Sequence, residues 1–100
     1  MERLQIHVPE GLSSEMVTEY VNRCQRSLIA LNDALERSDY EHARVFGHRL
    51  AGTGGAYGIP RLTDIGAAIE HAAVRKEMGQ LRRQADATRT CLSAVEVLPD

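Results

Sequence analysis

Tryptophan is absent from this 100-residue chain, and Phe46, Tyr20, Tyr40 and Tyr57 are its only aromatic residues. A core must therefore be assembled from Leu, Ile, Val, Met and Ala, which favours packed helices. Cysteine is equally scarce. Cys24 and Cys91 are too few for a disulfide framework and lack the short spacing of a metal or redox pair, so two free thiols are expected in a reducing compartment. No charge of one sign dominates, since the formal net charge is −2 with acids and bases interspersed. That excludes a dedicated surface for nucleic acid or anionic membrane. No apolar run approaches the roughly 20 residues that span a bilayer, and nothing near the start resembles a signal peptide. These absences lead to the expectation of a cytoplasmic protein with a single domain over residues 1–100.

Apolar periodicity supplies the rest of the architecture. Leu4, Ile6 and Val8 alternate with polar neighbours, but no second strand of similar quality is evident, so residues 1–12 are expected to form an extended arm. Pro9 and Gly11 break the chain, and Ser13 or Ser14 is placed to cap a helix over about 13–37 with Val17, Tyr20, Val21, Cys24, Leu28, Leu31 and Leu35 inward. Ser38-Asp39 interrupts that pattern and starts a second helix over about 39–57, with Ala43, Phe46, Leu50 and Tyr57 on one face. Gly58 and Pro60 then mark a stop and a start, predicting a third helix over about 60–74 that buries Leu62, Ile65 and Ile69. A fourth helix is predicted over about 76–97, burying Met78, Leu81, Ala85, Thr88, Leu92 and Val95. Four amphipathic helices with short connections pack most economically as an antiparallel up-down-up-down bundle. The predicted fold class is thus all-α, a four-helix bundle with a short extended N-terminal arm. Because the apolar stripes are used up inside the bundle, a monomer is expected.

The chemistry concentrates in the second helix. His48 is offset by about 200° from Phe46 and Leu50, so it points away from the core they build. Arg44 at i−4, Ala51 at i+3, Gly52 at i+4 and Gly55 at i+7 share or flank its face, which is therefore nearly bare. Each glycine costs a helix roughly 1 kcal/mol relative to alanine, so a run this rich in glycine signals a close approach by something else. Gly54 lies toward the core side. His7, His42, His48 and His71 form no i,i+4 pair and have no cysteine or carboxylate cluster to complete a metal site, so no metal is expected. Glu70 and the basic residues Arg75, Lys76, Arg82, Arg83 and Arg89 read as solvated helix surface.

His48, Leu50, Gly52, the stretch Thr53-Gly54-Gly55-Ala56, Tyr57 and Gly58, together with Ile69-Glu70-His71-Ala72-Ala73 downstream, resemble the histidine-containing phosphotransfer (HPt) domains of bacterial two-component phosphorelays. The resemblance covers the whole chain. It implies that His48 accepts a phosphoryl group and passes it to or from the aspartate of a response-regulator receiver domain, with a sensor histidine kinase or hybrid kinase upstream. An unperturbed imidazole is mostly neutral at pH 7 and keeps a lone pair for attack on phosphorus. No nucleotide-binding loop occurs, so no ATP-dependent kinase activity is expected. No cofactor is expected either, the Mg²⁺ belonging to the receiver. Nucleic acid and membrane are not expected partners.

One position departs from the family pattern. The family usually places a lysine three residues after its histidine, where this chain has Ala51. Arg44 and Arg49 are the candidates to replace that charge, and Arg44 is favoured because i−4 shares the histidine's face. The alternative reading of the same departure is an adaptor that binds a receiver or kinase without being phosphorylated.

Overall fold

A computed structural model describes residues 2–99; Met1, counted above in the arm, and Asp100 lie outside the described residues. The elements follow in the order β1 (Leu4–Ile6), α1 (Ser14–Glu36), α2 (Tyr40–Thr53), a 3-10 turn (Gly55–Tyr57), α3 (Pro60–Val74), α4 (Met78–Ala94) and β2 (Val95–Val97). Each helix packs against two others, α1 on α2 and α4, α3 on α2 and α4. The resulting bundle encloses a core of Leu, Ile, Val, Ala and Cys side chains with Tyr20 and Phe46.

Local chemistry sets the helix limits. The Ser13 hydroxyl accepts from the Met16 N–H at 3.1 Å and caps α1, while an Asp39 carboxylate oxygen accepts from the His42 N–H at 3.0 Å and caps α2. The α1–α2 connection is compressed into three residues. Ser38 adopts φ +54° as the left-handed residue that ends α1, and the Asp39 N–H bonds back to the Ala34 carbonyl at 2.8 Å while its side chain starts the next helix. Lys76 closes α3 in the same manner, with φ +55° and the Glu77 N–H bonded to the Ala72 carbonyl at 2.9 Å. At Gly58, φ is +83°, and a Cβ there would meet the His7 carbonyl at 3.1 Å. Glycine is required for both reasons.

Three expectations are corrected. First, the N-terminal arm is not a lone extended segment: β1 pairs in parallel with β2, with Leu4 opposite Val95 and Ile6 opposite Val97. Ile6 is only 2 % exposed and belongs to the core. Second, the last helix stops at Ala94, because residues 95–97 turn extended and take up that pairing. Third, α2 ends at Thr53 rather than 57. The Thr63 hydroxyl accepts the Gly55 N–H at 2.8 Å and the Gly54 carbonyl takes N–H groups from Tyr57 and Ile59, which tightens the chain into the 3-10 turn.

The closest helix contact is α2 on α3. A Cβ on Gly47 would lie 2.5 Å from the Glu70 backbone nitrogen and 2.7 Å from the Gly66 carbonyl oxygen, and one on Gly66 would run into the Ala51 nitrogen. Neither backbone leaves room for a methyl group. Gly47, Ala51 and the buried Gly54 form the side of α2 that lies on α3, with Gly54 against Leu62 and Thr63.

Candidate functional site

That close crossing decides what stands beside the histidine. Glu70 follows Gly66 by one turn on α3, and its backbone touches α2 at Gly47, the residue immediately before His48. Its carboxylate therefore reaches the imidazole, with His48 Nδ1 3.1 Å from Glu70 Oε2. The histidine side chain is 72 % exposed and the glutamate 32 %. A carboxylate only accepts, so the hydrogen of this bond is on Nδ1. In the neutral ring the lone pair is then on Nε2. Burial does not seal the ring, and an incoming group meets little resistance.

Arg44 occupies the same stripe one turn earlier. It grips Glu41 through two bonds, Nε to Oε1 at 2.6 Å and Nη2 to Oε2 at 3.0 Å. Hydrogen bonding to Arg44 holds the Glu41 carboxyl below the usual carboxylate range, and the same bonds, aided by the Glu70 charge, raise the Arg44 pKa. Arg49 is directed elsewhere. It lines an open groove of about 620 Å³ between α1 and α2, together with Tyr20, Arg23, Phe46, Leu50 and Thr53. Of the two arginines singled out as charge replacements, the structure thus brings Arg44 near Glu70 and turns Arg49 to the other flank of the helix.

The glycine stripe divides by its surroundings. A Cβ on Gly52 would have nothing within 4 Å, and Gly52 is exposed. Gly55 is exposed too, but it belongs to the 3-10 turn and its N–H is held by Thr63, so the i+7 geometry of a continuous helix does not apply to it. Ala51 is half-buried beside the crossing with α3. The far wall of α2 is tied to α1 by Tyr20, whose hydroxyl lies 2.7 Å from Thr53 Oγ1 and whose ring stacks on Tyr57 at 4.1 Å between centroids. Burial pushes the Tyr20 pKa well above that of a free phenol.

A family model described as Hpt domain matches residues 15–97, a span that runs from the second residue of α1 through α4 and includes His48. The chain belongs to the Hpt domain family. Hpt domains serve histidine phosphotransfer in phosphorelays, as modules without kinase activity of their own, and interact there with receiver domains and kinases. No curated protein and no solved structure matches the chain. Among the described residues of this Hpt domain no helix is long and apolar enough to cross a membrane, and no three His, Cys, Asp or Glu side chains converge on a common metal position.

Sequence reasoning alone passed over Glu70, which it placed among solvated surface residues, and over Gly47 and Gly66. The available signal was the pair of glycines inside two consecutive helices. Each carries a helix-propensity penalty, and their common explanation is a close crossing that sets one neighbour of each, His48 and Glu70, side by side.

Proposed function

We propose that His48 is the phosphoryl acceptor of this Hpt domain and that it exchanges the group with the aspartate of a receiver domain. The observation that carries this reading is the exposed imidazole whose Nδ1 is engaged by Glu70. Nε2 would attack phosphorus with its lone pair. The N–P bond forms as the P–O bond to the donor carboxylate breaks, and that carboxylate leaves with the bonding electrons. The ring becomes cationic in this step, and its Nδ1–H stays hydrogen-bonded to an anion that is already in place. Glu70 thus acts on the ring's orientation and charge rather than on phosphorus.

Gly52, with Gly55 beyond the helix end, would give the receiver its approach, since a transfer site needs the two reacting groups within a few ångströms. Arg44 would neighbour the phosphoryl oxygens in place of the charge that Ala51 does not provide. The receiver would bring its own Mg²⁺, which neutralises charge on the transferring group.

Incubation with phosphorylated receivers or active histidine kinases should place an acid-labile phosphate on His48, and His48→Gln should abolish it without changing the helical circular dichroism signal. Receiver binding with unaltered signalling output in His48→Gln would instead establish the unphosphorylated adaptor and reject the relay reading.

A further inference from the structure

Glu41, Arg44 and His48 occupy one stripe of α2. Seven residues on a helix return to within about 20° of the starting direction with a rise of about 10.5 Å, so Glu41 and His48 face the same way two turns apart. Arg44 stands between them, one turn from His48 and close enough to be linked to Glu41 by two hydrogen bonds. At that separation Glu41 is too distant to act on the imidazole directly. It acts on the guanidinium.

We propose that Glu41 governs the phosphorylated state through Arg44: its carboxylate holds the guanidinium one turn from His48 before modification and competes with the phosphoryl oxygens for it, and the guanidinium exchanges the Glu41 carboxylate for those oxygens when His48 is modified. The inference rests on the phosphoacceptor reading of His48.

Three observations support the exchange. Only one edge of the guanidinium, Nε with Nη2, is occupied by Glu41, and among the described residues no hydrogen bond fills Nη1. Both members of the pair are substantially exposed, the arginine side chain by 41 % and the glutamate by 67 %, so water competes for each and the pair is readily opened. A phosphoryl group on His48 offers three acceptor oxygens and nearly two negative charges against one on Glu41, and the arginine fork fits either. The remaining neighbours do not supply this charge. Ala51 has none, Glu70 is an anion, and Arg49 is directed to the groove on the α1 side.

The exchange has a kinetic sign. In hydrolysis the N–P bond breaks with its electron pair returning to Nε2 as water bonds to phosphorus and gives up a proton; the transition state is loose and metaphosphate-like, so the PO3 unit carries about one negative charge where the phosphorylated ring held nearly two. A cation on those oxygens therefore stabilises phosphohistidine more than the transition state, and it slows hydrolysis. Glu41 competes for that cation, so its removal should lengthen the life of phosphohistidine. The full chain is phosphorylated with phosphoramidate, a small donor that needs no partner, and decay of the phosphohistidine signal is followed by ³¹P NMR after donor removal. Glu41→Gln, with Glu41→Ala beside it, should lengthen the half-life on the order of threefold, and Arg44→Gln should shorten it by a similar factor. Arg44→Lys should restore part of the loss. The double variant Glu41→Gln/Arg44→Gln should match Arg44→Gln alone, because Glu41 acts only through Arg44; a merely structural role would not produce that non-additivity. Equal half-lives in wild type and both Glu41 variants, or a Glu41 effect that persists without Arg44, overturn this inference alone. No phosphohistidine at position 48 overturns it together with the phosphoacceptor reading.

Discussion

At the residue scale, the decisive contact is one side chain from each of two helices, His48 and Glu70. An ionised carboxylate next to Nδ1 selects the tautomer with Nε2 free, as carboxylates do for metal-bound histidines, where their loss costs about 10- to 100-fold in function. Glu70→Ala should therefore slow phosphorylation of His48 by roughly tenfold. The imidazole ¹⁵N spectrum should show a larger share of the tautomer protonated at Nε2. An unchanged tautomer ratio with an unchanged rate would show that the contact has no influence on the chemistry. The outward placement of His48 was legible from sequence because helical geometry sets it opposite Phe46 and Leu50. Glu70 was not, because periodicity within one helix says nothing about which surface residue a neighbouring helix brings up.

At the scale of elements, Gly47 and Gly52, five residues apart on α2, stand in opposite surroundings. Gly47 is pressed against the α3 backbone, whereas nothing lies within 4 Å of a Cβ on Gly52. Gly47→Ala should destabilise the fold by about 1–3 kcal/mol, as overpacking does, and shift His48 relative to Glu70. Gly52→Leu should leave the thermal midpoint near the wild-type value and permit phosphorylation by phosphoramidate, yet obstruct transfer from a receiver. Melting curves and the two labelling assays separate the cases, and equal transfer from a receiver in Gly52→Leu would remove Gly52 from the docking face. The four helices were legible because caps and breakers mark their limits: Ser13, Asp39 and Pro60 all sit where helices begin. The two strands were not. Val95 continues the i,i+3 spacing from Leu92 and so reads as helix, while its partner Leu4 lies at the other end of the chain and leaves no local trace. The β-branched Val95 and Val97 around Glu96 were the available hint.

At the scale of the whole molecule, the small sheet is joined to the bundle through Ile6, which is fully packed in the common core. Ile6→Ala should lower stability by about 2–4 kcal/mol, the range for a large-to-small change in a core, with a matching drop in the thermal midpoint. A loss below 0.5 kcal/mol would mean that the strand merely rests on the bundle. The helix contacts join sequence neighbours and close α4 onto α1, but the strands join partners 91 residues apart, as in the Gln5 to Glu96 side-chain bond of 3.2 Å. Contacts with such separation carry the largest loop-closure cost and contribute little until most of the chain is ordered. The sheet is therefore expected to form after the bundle and to open before it, so amide hydrogens of residues 4–6 and 95–97 should exchange with solvent while α2 and α3 remain closed. Such an opening would loosen a clasp made of Leu4–Ile6 and Val95–Val97 alone, and the histidine with its glutamate, held by α2 and α3, would stay assembled.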